Sequence, residues 1–480
     1  MRSPHRGLNR WSRPATAAAA ATLLSFCPAT TAGAQRGPPT GGPDGLHVEF
    51  VEDSLPNGLR VLYHVDRSTP AVAVNVWYKV GARDEEPGRT GFAHLFEHVM
   101  FKGSRNVADG EHWGLLERAG ARGGADVNGT TGHERTNYFQ TVPSNQLALA
   151  LWLEADRMGT LLETLTQEKL DNQREVVKNE RRQGTESDPY GTWYELMLAR
   201  VFPEGHPYHH TIIGSMDDLS AASLDDVRRF FRTYYTPDNA VLAIAGDFDL
   251  AEARGLVARY FGPIRRGGGR PALPPMSLPI PIGRAQRIAV PVTRTRAPAV
   301  FAGFRVPAQA DPRGPAAVLL SMVLGEGEAS PLYDRLVRGE RRAVSASAWN
   351  IWMVDGADLA TFSATGAPGA NADSLAQALE EVIPALGTAI TQQRLDAVRA
   401  GLRFQFLNGL QSLGGFGGRS DRLAEGYAYH GNANWVNERM RGFDAVTVEQ
   451  LRRAASEWLV PENRVTLVFD PAAPSAGGDQ

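Results

Sequence analysis

The sequence predicts an α+β protein made of two homologous α/β halves, each a sandwich of antiparallel sheet and helices. Three observations carry this. Two stretches 224 residues apart share one pattern: Leu224–Val241 reads LDDVRRFFRTYYTPDNAV and Val448–Val465 reads VEQLRRAASEWLVPENRV. Each is an amphipathic helix that stops at a Pro-acid-Asn turn and enters a β-branched strand, with Pro237 matching Pro461 and Asn239 matching Asn463. Near the middle of the chain Gly262 to Pro281 is rich in Gly and Pro, which places a linker there. Between these landmarks strands alternate with helices, and the hairpin signals favour antiparallel pairing.

Taken in order, the chain opens with Arg2, Arg6, Arg10 and Arg13, then a 12-residue uncharged run from Ala15 to Phe26, then Ala32-Gly33-Ala34. Basic lead, apolar core and small-x-small site read as a secretory signal peptide over residues 1–34. The run is too short to span a bilayer, and no later segment is long and apolar enough, so no stable membrane span is expected. Lipidation of Cys27 is the alternative, disfavoured by bulky Phe26 before it. Residues 35–47 read as a linker, 48–265 as the first half, 266–285 as the central linker, 286–470 as the second half and 471–480 as a flexible tail. In the first half, Val51–Val65 holds Pro56-Asn57-Gly58 between apolar alternations, a hairpin signal. Ala71–Val80 reads as a strand, Gly91–Phe101 as a helix, and Asp126–Val142 as two strands around Gly132. Ser144–Arg157 and Thr166–Gln183 read as helices, the former capped by Ser144.

Composition narrows the function. Hydrophobic residues make up 42% and charged residues 21% of 480, which fits a folded globular chain rather than a disordered one. Cleavage after Ala34 removes four arginines and no acid, taking the formal charge from -3 to -7, so nucleic acid is not an expected partner. It also removes Cys27, the only cysteine, which suits export to an oxidising compartment and excludes thiolate metal sites. Localisation is expected to be periplasmic, in a Gram-negative cell.

The chemistry concentrates at His94-Leu95-Phe96-Glu97-His98. On a helix, positions i, i+3 and i+4 share a face, so both imidazoles and the carboxylate point the same way. Two histidines four apart can chelate one metal, and the carboxylate between them can take a proton from activated water. The other helix residues, Phe92, Leu95, Phe96, Val99, Met100 and Phe101, are apolar. Three titratable groups on a helix that buries this much need partners, and a metal satisfies the histidines. The plainer reading is a core helix with two hydrogen-bonded histidines.

A catalytic zinc site needs a third protein ligand. The helix from Thr166 offers Glu168, Asp171, Glu175 and Glu180. Leu170, Val176 and Val177 mark its inward face, and Glu180 continues that face from Val177 and Val176. Glu175 lies about 140° away from Glu180, with Asp171, Lys178 and Arg182. Position favours Glu180, with Glu175 as the alternative.

These residues resemble a family. His94-x-x-Glu97-His98 followed by Val177-Lys178-Asn179-Glu180 is similar to the inverted zinc motif of the pitrilysin–insulysin metallopeptidases, the inverzincins, and among them to the short subunits of mitochondrial processing peptidase. Asn57-Gly58-Leu59, Thr136-Asn137-Tyr138, Pro189-Tyr190-Gly191, His206-Pro207-Tyr208 and Gly214-Ser215-Met216 extend the likeness over roughly residues 48–470. The resemblance implies two α/β halves enclosing a chamber, and one Zn2+ per chain on His94, His98 and Glu180, with Glu97 as general base. It implies peptides or unfolded polypeptide segments as substrates. Asn128 matches the edge strand that holds the substrate backbone; its plain alternative is a turn residue before Gly129. Three departures stand out. The spacing from His98 to Glu180 is a few residues longer than in the best-known members. Gln173 stands where many members have a glutamate, which removes the auxiliary carboxylate the resemblance implies, with Glu175 as a substitute. An Arg and a Tyr seven apart, which help hold the substrate carbonyl in active members, align with Val337 and Val344, neither able to donate a hydrogen bond. Arg338 or Tyr333 is one replacement. The other is a same-fold partner chain, in a hetero- or homodimer, that supplies the pair.

His133 reads as structural, and His206, His209 and His210 as a solvated loop cluster. Leu413–Asp421 (LGGFGGRSD) lacks the strand-then-helix context of a phosphate loop and reads as a flexible or substrate-facing segment. The competing function is a non-catalytic structural or assembly subunit, against which the intact motif argues.

Overall fold

Two sheets with the same strand order organise the computed structural model, which describes residues 47–471. The signal-peptide, Cys27 and first-linker readings, and the tail beyond Pro471, lie outside the described residues save for His47. The first sheet contains β1 (Val51–Ser54), β2 (Arg60–Val65), β3 (Ala71–Tyr78), β4 (Val127–Thr131), β5 (Thr136–Pro143) and β6 (Ala240–Gly246), ordered β1-β2-β6-β3-β5-β4. The second contains β7 (Gln286–Pro291), β8 (Ala299–Pro307), β9 (Ser345–Asn350), β10 (Ala357–Thr365) and β11 (Arg464–Asp470), ordered β7-β11-β8-β10-β9. Without β1 the two orders superpose strand for strand. Each sheet is mostly antiparallel but holds one parallel pair, β2 with β6 and β7 with β11. The final strand of each half arrives from a helix rather than a hairpin, which frees it to run parallel to the first.

The repeat is visible atom by atom. The helices Leu224–Tyr234 and Val448–Trp458 each open with a capping box, Ser223 with Asp226 and Thr447 with Gln450. Each ends where an asparagine donates to the carbonyl five residues back: Asn239 Nδ2 to Tyr234 O at 2.8 Å and Asn463 Nδ2 to Trp458 O at 2.7 Å. That bond takes up an orphan C-terminal carbonyl and fixes the turn into the strand.

One face of each sheet packs against its own half's helices. The other face is covered by a helix from the opposite half. Met197, Leu198 and Val201, on the helix Trp193–Val201, pack with Leu359, Leu467 and Phe469 of the second sheet. Leu423 and Ala424, on the helix Arg419–His430, pack with Leu62, Trp77, Val241 and Ala243 of the first. Each such fully buried large side chain contributes about 1.5–3 kcal/mol, so the exchange welds the halves together.

Three local expectations change. Ser144 does not cap a helix: Ser144–Gln146 is a short 3-10 turn leading into the helix Leu147–Thr164, and no side chain caps either. Leu413–Asp421 is docked rather than free. Asp421 accepts from Trp77 Nε1 at 3.1 Å and Asn75 Nδ2 at 3.2 Å on β3, and Phe416 meets Phe139 edge-on. The histidine loop is packed: His206 is buried against Phe202, and His209 bonds the Phe202 carbonyl at 2.8 Å.

Candidate metal centre

The motif helix spans Phe92–Val99 and buries Phe92, Ala93, Leu95, Phe96 and Val99, leaving His94, Glu97 and His98 on its accessible face. It starts at Gly91, whose φ of 88° is costly for any residue with a Cβ. No side chain of Gly91 can cap it; instead the fully buried Glu85 accepts from Gly91 N–H at 2.8 Å and Ala93 N–H at 2.7 Å. A carboxylate at a helix N-terminus satisfies orphan donors and complements the helix dipole.

The second wall is the helix Gln167–Arg181, capped by Thr166 and buried through Leu170, Gln173 and Val177. Glu180 Oε2 lies 3.6 Å from His94 Nε2 and 3.4 Å from His98 Nε2. Arg181 pins the helix end, donating to Gly214 O at 2.9 Å and Glu195 at 2.7 Å. Glu175 points away, 60% exposed and paired with Lys178 at 3.1 Å, so Glu180 is the glutamate that meets the histidines.

The donor set fits a metal. Three potential ligand atoms from His94, His98 and Glu180 lie within 4.8 Å of one another, the one such cluster among the described residues. Separations of 3.4–3.6 Å are long for a hydrogen bond but match ligands about 2.1 Å from one tetrahedral ion. Burial, then the neighbouring His98, pushes His94 down to about 4, which keeps its imidazole neutral and able to ligate. The cluster therefore fits one Zn2+ per chain.

Glu97 lies beside this cluster and accepts from Thr131 Oγ1 at 2.7 Å. Burial raises its pKa, opposed by the Thr131 hydrogen bond and by His98 and Arg135. Gly129 makes room for it, since a Cβ there would come 3.0 Å from Glu97 Cγ. Glu97, His98, Phe101, Trp113, Asn128 and Gln173 are among the residues lining a cleft of about 290 Å3. Asn128 sits on β4, the edge strand of the first sheet, donating to Gly124 O at 3.3 Å and accepting from Gly129 N–H at 2.9 Å. Gln173, not Glu175, faces this cleft. Sequence reasoning missed Glu85 and Thr131. Glu85 lies six residues before Gly91, outside any capping signature, and Thr131 is one of two threonines on its strand.

Val344 directly precedes β9, an edge strand of the second sheet, and is 55% exposed; Val337 is half-buried. Arg338 binds Asp334 at 3.1 Å and lies over the Tyr333 ring, so these two substitutes engage each other rather than the cleft. His133 is buried and bonded to Tyr194 OH at 2.7 Å, a structural group as expected.

Paired sheet-and-helix halves, one of them carrying a His-His-Glu cluster with a carboxylate on the same helix, define a zinc metallopeptidase. The chain belongs to the insulinase family, peptidase family M16. The family's insulinase model matches residues 60–206, and the model described as the peptidase M16 inactive domain matches residues 221–402. Zinc protease PqqE of Helicobacter pylori is 30% identical over 421 residues, covering 87% of this chain and 92% of that protein. An uncharacterised zinc protease of Mycobacterium leprae is 30% identical over 410 residues, 85% of this chain and 88% of its own. A crystal structure of a Helicobacter pylori protease aligns with TM-score 0.78 at 29% identity, covering 88% of this chain and 99% of that one. The first half of the periplasmic protease PqqL of Escherichia coli shares the fold, with TM-score 0.68 at 17% identity over 88% of this chain and 92% of that chain. The chain is thus a zinc metalloendopeptidase of this family, acting on peptides or unfolded segments. No helix among the described residues is long and apolar enough to cross a membrane.

Proposed function

We propose that the chain is an exported endopeptidase in which His94, His98 and Glu180 hold zinc and Glu97 is the general base. The carrying observation is the convergence of both Nε2 atoms on Glu180 Oε2, with Glu97 on the same helix beside them. Zinc bound there supplies a Lewis acid that polarises the scissile carbonyl and acidifies water. Glu97 takes the proton from the attacking water and returns it to the leaving amine. Its raised pKa suits the return step, and Thr131 orients the carboxylate through one oxygen. Asn128 and the free edge of β4 hold the substrate backbone as an added strand.

The missing Arg and Tyr come from a same-fold partner, in a homo- or heterodimer that completes a chamber like those of the mitochondrial processing peptidase subunits. Exposed Val344 at the edge of the second sheet, with no donor, favours this. Residues 1–34 direct export, residues 35–47 and 266–285 link, and residues 48–265 and 286–470 are the peptidase and peptidase-like halves. The N-terminal pattern and the likeness to a periplasmic protease support a periplasmic location.

The test is cleavage of unfolded peptides by the purified chain, alone and with a same-fold subunit carrying Arg and Tyr seven apart. Rate gained only with the partner supports the paired reading; full rate alone removes it. Near-stoichiometric zinc with no cleavage under either condition points instead to an assembly subunit.

A further inference from the structure

Between the two halves lies a second cavity of about 360 Å3. Its lining shares no residue with the cleft beside Glu97. Three arginines reach it, Arg135 from the first half and Arg422 and Arg439 from the second, against two acids, Asp421 and Glu425. The acids are already engaged. Asp421 accepts from Trp77 Nε1, Asn75 Nδ2 and Gly417 N–H, and Glu425 accepts from Arg422 Nη1. Arg135 donates to Thr130 O at 2.7 Å and Asn137 at 2.9 Å.

Arg439 is different. Its side chain is only 12% exposed, its nearest carboxylate oxygen, on Glu425, is 3.6 Å away, and its Nη1 is buried without a hydrogen-bond partner. Arg422 Nε is likewise buried and unpartnered. What holds the Arg439 guanidinium is aromatic: ring centroids of Trp435, Trp352 and Phe406 lie 4.7, 5.5 and 5.9 Å from it. Trp352 itself is kept at φ 72°, a conformation rare outside glycine, with its carbonyl bonded by Gln309. Strained residues of this kind gather at ligand clamps. A desolvated guanidinium, fixed by stacking, with Nη1 lacking a hydrogen bond and with its nearest carboxylate already bonded to Arg422, is arranged to take an anion. Trp352, Leu402, Phe406 and Phe443 in the lining favour an anion with an apolar body.

We propose that this inter-half cavity is a binding site for an organic carboxylate with an apolar or aromatic body, anchored on Arg439 and resting against Trp352 and Phe406. Such a carboxylate is either the C-terminus of a peptide or a free organic acid. The site is independent of the zinc chemistry.

The probes are 3-phenylpropionate and its amide, and acetyl-Ala-Ala-Phe as acid and as amide, titrated calorimetrically into the full chain. Because carboxylates also ligate zinc, each titration is repeated on the His98→Ala variant. The expected result is saturable binding of at least one acid below about 1 mM, at least about tenfold weaker for its amide. It persists in His98→Ala and falls about tenfold or more in Arg439→Met. Binding of the peptide acid alone names a peptide C-terminus as the source, and binding of 3-phenylpropionate names a free acid. No saturable binding of either acid, or binding lost in His98→Ala and retained in Arg439→Met, overturns the proposal. If Arg439→Met does not fold, a brominated 3-phenylpropionate soaked into crystals of the unaltered chain decides it. Anomalous bromine signal beside Trp352 supports the site; signal elsewhere, or none, refutes it.

Discussion

In the first half, the first α-helix after β3 reads FAHLFEHV; in the second, the first α-helix after β8, Gly314–Gly325, reads GPAAVLLSMVLG. The first leaves its polar face open toward a cleft. The second, with no His, Asp or Glu, is buried on nearly every side. The ligand helix shows the same divergence. Thr166 and Thr391 both cap helices that begin T-Q-x-x-L-D, and counting on from them sets Gln405 opposite Glu180. Glu180 faces two histidines, whereas Gln405 lines the cavity that holds Arg439. One fold supports a metal site where its helices carry histidines and a glutamate and a packed frame where those ligands are lacking. Function resides in side chains grafted onto the repeat, not in the repeat itself.

Breaking the first half's chemistry should give the largest effects. His98→Ala removes a ligand, and both bound zinc and peptide cleavage should fall to background, read by metal analysis and a fluorogenic peptide. Zinc retained at wild-type stoichiometry would refute the ligand assignment. Glu97→Gln should keep zinc while kcat falls about 10²–10⁴-fold, the range for losing a positioned base. Cleavage that survives this change would refute its role.

Next comes the clamp on the motif helix. Glu85→Ala leaves two buried N–H groups unpaired, at a cost of about 1–3 kcal/mol each. The helix start should loosen and kcat fall about ten- to a hundredfold, with KM changing less. If only stability falls, Glu85 supports the fold and not the site.

The matched asparagines sharpen the comparison of halves. Asn463 donates to Trp458 O and Arg305 O, both at 2.7 Å, and accepts from Ile282 N–H at 3.0 Å. Asn239 makes one short bond and one of 3.4 Å to Lys79 O. Replacement by Ala should therefore cost about 1 kcal/mol more at Asn463 than at Asn239, measured by urea unfolding. Equal costs would mean that the extra bonds add nothing.

How far the sequence foretold all this depends on range. The hairpin at Pro56-Asn57-Gly58 and the HxxEH face follow from local rules, and they stand where those rules put them. Glu180 was reachable because helical phase relative to Val176 and Val177 is also local. Glu85 was not, because it reaches Gly91 and Ala93 from outside any capping signature, and Thr131 was not, because it meets Glu97 only through the tertiary fold. The exchanged helices were illegible for the same reason. Leu423 and Met197 read as ordinary core positions, and only the structure shows that the core they enter belongs to the other half. The Ser144 cap failed because a good capping residue competes with how the preceding strand ends; Ser144 N–H is drawn to Pro70 O at 3.1 Å.

Two effects of pH, one in each half, oppose one another in sign. His133, in the first half, is buried against Tyr194 and Tyr208 with Arg83 and His210 nearby, and burial pushes it down to about 3. Its ordinary value is about 6.5, so the unfolded chain binds more protons between the two values. The stability tied to neutral His133 is present above about pH 6.5 and is lost as pH falls toward 3. Asp358, in the second half, accepts from Asn350, Met353 N–H and Leu359 N–H, yet burial raises it to about 7. Here the folded chain binds more protons, so stability is present below the ordinary carboxylate range and is lost as pH rises through 7. Neither slope can exceed about 1.4 kcal/mol per pH unit. His133→Gln should flatten the acid limb of the unfolding free energy between pH 4.5 and 6.5, and Asp358→Asn the limb between pH 5 and 7. If either variant steepens its limb, the burial that sets that group's charge has been misread.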